Sequence, residues 1–292
     1  MTILVTGGTG TVGSQVVADL VAAGQDVRVL TRSPEKAAAL PDGVTGAVGA
    51  LAEPATLGPA FAGSDRLFLL TPLAQDEVDQ GLAGIEAAKQ AGVGRIVFMS
   101  VHQAEEASRI PHFGSKVEIA KGLERSGIPY TVIQPNSFYQ NDVWFQQPLM
   151  EFGVYPNPLG SVGLNRVDVR DIAVAAIAAL TEDGHLGEYY PVVGPDAWTG
   201  ESSAQAWSAA LGSGVIYGGD DLDQWVQAAS AMMPDWLVAD LRVMFEEFQE
   251  RGLLASDDDF ARQRLILGRD PIPFDRFAAE LAGMWKAQAA GA

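Results

Sequence analysis

The sequence predicts an α/β fold, a doubly wound parallel sheet carrying a smaller C-terminal lobe. Three observations predict it. Short β-branched apolar runs alternate with helical patterns through the first half of the chain. A glycine-rich turn separates the first of these runs from the first helix. Past residue 135 the alternation gives way to aromatic and amide-rich stretches, then to helices.

The apolar runs are TILVT (2–6), DVRVL (26–30), VTGAV (44–48), RLFLL (66–70), RIVFM (95–99) and YTVIQ (130–134). Near-continuous apolarity suits strands buried on both faces, as in a parallel sheet covered by helices. Between them, SQVVADLVAAG (14–24) puts Val16, Val17, Leu20 and Val21 on one stripe and stops at Gly24. SPEKAAAL (33–40) offers Ser33 as an N-cap and Pro34 as the first helical residue. DEVDQGLAGIEAAKQAG (76–92) again stops at a glycine. Further on, VDVRDIAVAAIAAL (167–180) reads as a helix with Asp168 or Asp171 near its start, and GEYYPVVG (187–194) as another strand. Two helical stretches follow residue 220. Their Trp225, Trp236, Phe245 and Phe248 suit either ordinary core positions or the wall of a cleft. The expected organisation is a dinucleotide-binding domain over 1–150, its sheet also taking in part of 165–195, and a mostly helical lobe over 196–292.

Composition narrows the function. The chain is 48% hydrophobic, enough for a sizeable core. Its 37 acidic and 19 basic residues give a net charge of −18, which repels a phosphate backbone, so no nucleic-acid partner is expected. No apolar run approaches the roughly 18 residues of a membrane span. Met1 leads straight into a strand-like run without a secretion signal, so a cytoplasmic location is expected. There is no cysteine, which excludes disulfides, thiolate metal sites and a thiol nucleophile. His102, His112 and His185 lack metal-ligand spacing, so no metal is expected. Ser100 sits in no nucleophile elbow, which argues against a hydrolase.

The strongest motif is TGGTGTVG (6–13), lying between the first strand and the first helix. It satisfies G-x-x-G-x-x-G at Gly7, Gly10 and Gly13, and G-x-G-x-x-G at Gly8, Gly10 and Gly13. One glycine makes the tight turn, Gly10 lets backbone approach a pyrophosphate, and Gly13 lets helix and strand pack closely. The phosphates would meet free N–H groups at the helix start. Gly7, Thr9, Gly10, Thr11, Val12 and Gly13 are therefore candidate cofactor-binding residues. The next strand ends VLTRSPEK. Thr31 stands where an NAD site places a carboxylate, and Arg32 follows, with Lys36 nearby. A guanidinium there can hold a 2′-phosphate by two charge-assisted hydrogen bonds. NADP(H) is expected in preference to NAD(H).

The chain resembles the NmrA-like branch of the atypical short-chain dehydrogenases/reductases over nearly its whole length. The resemblance rests on TGGTGTVG, VLTRSPEKAAAL, GVGRIVFMSV (92–101), HFGSKVEIAKGLERSGIPYTVIQPNSFYQN (112–141), VDVRDIAVAA (167–176) and LGRDPIPFDRFAAE (267–280). It implies a Rossmann-type domain with a small C-terminal lobe and a cleft between them for a small-molecule acceptor. Some members of the branch are NADP(H)-dependent reductases of quinones or cationic triphenylmethane dyes. Others bind the cofactor without catalysis and act as redox sensors through a protein partner. AEEASRIPHF and SGIPYTVIQPNSFYQND are more similar to the bacterial reductases, so an oxidoreductase acting on a conjugated acceptor is the first expectation and the sensor the second. The resemblance leaves a protein partner or a homodimer open. It also implies that Thr71 and Pro72 lie along the cofactor near the nicotinamide ribose, that Ser100 lies near the reacting ring, that Lys116 binds that ribose, and that Asn136 to Phe138 close over the nicotinamide. One departure is Ala50, which stands where the branch carries an acid near the adenine.

His112 and Lys116 are the candidate catalytic pair. In the wider enzyme class this spacing holds a tyrosine that protonates substrate and a lysine that assists it. Here an imidazole occupies the tyrosine's place. The helix dipole at its first turn and the nearby Lys116 ammonium both disfavour an imidazolium. His112 is thus expected to be a weak proton donor, and the preferred acceptors those needing no proton from the protein.

Overall fold

The computed structural model describes residues 1–291. β1 (Thr2–Val5) runs through the glycine turn into α1 (Thr11–Ala22), followed by β2 (Asp26–Thr31), α2 (Pro34–Ala38) and β3 (Val44–Val48). A 3-10 turn at Pro54–Thr56 and α3 (Leu57–Phe61) lead to β4 (Arg66–Leu69). Then come α4 (Glu77–Gln90), β5 (Arg95–Met99), α5 (Pro111–Ser126) and β6 (Tyr130–Pro135). A 3-10 stretch, Tyr139–Phe145, precedes α6 (Gln146–Glu151), β7 (Val154–Tyr155), α7 (Val169–Thr181) and β8 (Tyr189–Val192). The remainder is α8 (Gly200–Leu211), β9 (Ile216–Tyr217), α9 (Leu222–Ala229), α10 (Asp235–Arg251), α11 (Asp257–Leu267) and α12 (Phe274–Gly291).

Seven strands form one parallel sheet in the order β3-β2-β1-β4-β5-β6-β8. The order reverses between β1 and β4, and a crevice at the carboxyl ends of the strands there is where α/β sheets bind ligands. One face of the sheet packs on α1, α7 and α11, with Val16, Leu20, Ile172 and Ala176 fully buried. The alanines of α7 permit that close approach. The other face packs on α3, α4 and α5 through Phe61, Ile85, Ile119 and Leu123. Ser33 and Asp168 cap α2 and α7, accepting from the N–H groups of Lys36 and Arg170. No described helix is long and apolar enough to cross a membrane.

The C-terminal lobe has its own aromatic core. Trp207 and Trp285 stack at 5.2 Å between centroids, and Phe274 and Phe277 pack beside them. The 139–164 segment supplies Tyr139, Tyr155, Leu159 and Leu164 to this core, so the lobe draws on chain both before and after α7. A wholly buried ion pair joins its parts. Arg166 Nη2 lies 2.6 Å from Asp142 Oδ1, and Trp207 Nε1 donates to Asp142 Oδ2 at 3.0 Å. Burial works against the Arg166 charge, yet Asp142 holds its proton affinity above the usual arginine value. Arg166 Nη2 also donates to the Phe138 carbonyl at 3.1 Å, which ties the lobe to the end of β6.

Candidate active site

The glycine turn is built as its spacing requires. Gly7 has φ +63°, and a Cβ on Gly13 would lie 2.2 Å from the Gly7 carbonyl oxygen. A Cβ on Gly8 would lie 2.8 Å from Val29 Cγ1. Gly10 is different. Its N–H closes the turn on the Gly7 carbonyl at 2.9 Å, but it is exposed, and a Cβ there would meet only that oxygen, at 3.3 Å. No side chain caps α1, and its first turn carries no acidic residue. The N–H groups at the start of α1, beside Thr11, Val12 and Gly13, are thus left for an anion. Thr9 is exposed on the same turn.

At the end of β2, Thr31 is buried and donates to the Ser33 carbonyl. Arg32 and Lys36 are exposed, and neither makes an ion pair among the described residues. At Ala50, where the acid is missing, the backbone N–H donates to Thr56 Oγ1 at 3.0 Å.

A cavity of about 550 Å³ opens between the sheet and the C-terminal lobe. One wall is Met99, Ser100 and Val101 at the end of β5, Asn136 to Phe138 after β6, and His112 and Lys116 on α5. The facing wall is apolar, with Trp225, Met244, Phe245 and Phe248. Trp144, 86% exposed, stands at the rim. Of the four lobe aromatics singled out in the sequence, Trp236 alone is absent from the lining.

Lys116 is buried within a compact polar cluster. Its Nζ donates to Thr71 Oγ1 at 2.6 Å and lies 2.6 Å from Glu77 Oε1, while the Thr71 hydroxyl donates to the same carboxylate oxygen. Glu77 Oε2 is buried without a partner. Ser100 is buried on the cavity wall, and its hydroxyl makes no hydrogen bond among the described residues. Pro72 is exposed and outside the lining, where Leu73 stands instead. Phe138 lines the cavity directly.

Asn136 also lines it, but its amide is fully engaged. Nδ2 donates to the Leu253 carbonyl at 2.8 Å and contacts His102 Nδ1 at 3.1 Å, and Oδ1 accepts from the Ser137 N–H. Asn136 therefore shapes the wall. His102 is buried, and its Nε2 comes within 3.3 Å of Asp259 Oδ2 without hydrogen-bond geometry. Burial pushes the His102 imidazole below its ordinary value, partly offset by Asp259.

His112 has a partner that its own helix does not reveal. Asp240, on α10, contacts His112 Nδ1 through Oδ1 and accepts the His112 backbone N–H through Oδ2 at 3.2 Å. The expectation of a weak donor considered the helix dipole and Lys116 alone, whereas Asp240 also faces the ring. Two residues were missed from the sequence: Glu77 and Asp240. Glu77 looks like any acid in a first helical turn. Asp240 lies 128 positions from His112, so no local pattern links them.

The model of the NmrA-like family matches residues 1–275. The NAD(P)H azoreductase of Xenophilus azovorans is 41% identical over 237 residues, 80% of this chain and 83% of that one. The structure of the NADPH-dependent quinone oxidoreductase QOR2 of Escherichia coli complexed with NADPH is similar with a TM-score of 0.85. It is 26% identical and covers 96% of this chain and 99% of its own. The Citrobacter sp. triphenylmethane reductase complexed with NADP(H) superposes with a TM-score of 0.83 at 26% identity, over 97% of this chain and 100% of that one. With the family model spanning the sheet and most of the lobe, this chain belongs to the NmrA-like family.

Proposed function

We propose that this protein is an NADP(H)-dependent reductase that delivers hydride to a conjugated, electron-poor acceptor, of the quinone, azo or cationic-dye type, in the inter-lobe cavity. The observation that carries the reading is that one cavity borders both a polar cluster suited to a nicotinamide ribose and an apolar aromatic wall suited to a flat acceptor. The azoreductase, quinone reductase and triphenylmethane reductase relatives support the same acceptor class.

The residues fit the cofactor. The glycine turn is packed so closely that side chains at 8 and 13 would clash with Val29 and with the Gly7 carbonyl, and the uncapped N–H groups at the start of α1 suit a pyrophosphate. Arg32 and Lys36 are exposed cations at the end of β2, unpaired among the described residues, with no carboxylate at Thr31, which supports a 2′-phosphate and so NADP(H) over NAD(H). Lys116 lines the cavity, and its ammonium keeps a further N–H that can donate to a sugar hydroxyl, while Thr71 and Glu77 hold it from behind. When bound, a reduced nicotinamide supplies the hydride. The protein holds the acceptor against aromatic side chains and excludes water. The test is NADPH consumption with quinones, azo compounds and cationic dyes, the reduced products being identified. Tight NADPH binding with no consumption would instead favour a cofactor-sensing protein that acts through a partner.

A further inference from the structure

We infer that His112 is the proton donor of the reaction and that Asp240 is the positioning residue that holds it. The inference rests on the reductase reading. Its basis is the cross-lobe contact between α5 and α10. Asp240 engages both the ring Nδ1 and the backbone N–H of His112, so the ring is fixed at the start of α5. A carboxylate accepts only, so Nδ1 carries a proton. Nε2 makes no hydrogen bond to the described residues, and His112 lines the cavity. The free nitrogen is thus the one available to an acceptor. Asp240 on α10 touches the ring; along α5 the next charged residue is Lys116, paired with Glu77 on α4, and β6 carries no charge.

The step balances. The hydride that reaches an azo nitrogen comes from the reduced nicotinamide, and the neighbouring nitrogen gains an electron pair. The His112 Nε2–H bond breaks, an N–H bond forms on that neighbouring nitrogen, and the ring is left neutral with Nδ1–H still held by Asp240. Solvent then restores the Nε2 proton. A cationic triarylmethane dye needs no such proton, because hydride alone makes it neutral. Selectivity between these acceptors separates a proton donor from a clamp between the lobes.

The experiment compares the native protein, His112→Gln and Asp240→Asn with an azo compound and a cationic dye, at saturating NADPH. Azo turnover should fall at least about tenfold in both variants, toward the ~10²–10⁴-fold of a poised general acid, with KM little changed. Dye turnover should fall less, so that the ratio of azo to dye turnover drops at least about tenfold in both variants. In parallel, long-range proton–nitrogen spectra of the cofactor-free native protein, which has only 3 histidines, should show the His112 ring protonated at Nδ1 when neutral. Equal losses with both acceptors, unchanged azo turnover, native reduction of the dye alone, or a ring protonated only at Nε2 would each overturn the inference. Absence of turnover with every acceptor would remove the reductase reading itself, and the inference with it.

Discussion

The ammonium of Lys116 and the carboxylate of Glu77 form a buried ion pair, Nζ to Oε1 2.6 Å, behind the wall of the cavity. Glu77 is 1% exposed, and Thr71 bridges the pair by accepting from one partner and donating to the other. Buried pairs add little net stability, but losing one partner strands the other charge in a low-dielectric site.

Glu77→Ala should therefore destabilise the protein by roughly 3–5 kcal/mol. It should also weaken NADPH binding, because Lys116 loses the group that positions it. Urea denaturation and calorimetry check both. A loss under about 1 kcal/mol, within the range of an exposed pair, would mean that Glu77 does not hold Lys116 in this way.

Arg32→Ala should weaken NADPH about ten- to a hundredfold, the value of a charge-assisted contact of roughly 1.5–3 kcal/mol, and leave NADH almost unchanged. The cation is exposed and has no ion-pair partner among the described residues, so removing it should cost little stability. Parallel titrations with the two cofactors are the check. Equal losses for both would contradict a 2′-phosphate contact.

Acid should destabilise the protein through His102. Its folded-state proton affinity is lowered by burial, so the unfolded chain binds the proton more readily. Stability from this group is fully present above the unfolded value of about 6.5 and is lost as pH falls from there toward the lower folded value. Melting temperatures between neutral and mildly acidic pH should drop more in the native protein than in His102→Gln. Parallel curves would show that the ring takes its proton without cost.

The sheet was legible because its strands are continuous apolar runs and its helices end at glycines. Each signal lies within one element. The tight turn of Gly7 to Gly13 was legible for the same reason. The cavity was less so. Trp225, Phe245 and Phe248 were visible as aromatics, but whether they faced a core or a cleft depends on how α9 and α10 fold back over the sheet. Lys116 was found by its spacing from His112, whereas its anchor Glu77 comes from another helix. Asn136 shows the converse. Its place after β6 suggested a residue facing the cofactor, and only tertiary contacts with His102 and Leu253 show its amide already engaged. Asp240 changes what His112 can do, and it too is a tertiary fact.

Hydride transfer inside the cleft is tested most directly by following the label from deuterated NADPH, in its two C4-labelled forms, to a cationic triarylmethane dye. Carbon-bound deuterium does not exchange with water, so the central carbon of the product records the transfer. A reductase that holds the nicotinamide in one orientation should place one deuterium at that carbon from one labelled form of NADPH and none from the other. NADPH bound with no reduction of dye, quinone or azo compound would contradict hydride transfer in this cleft.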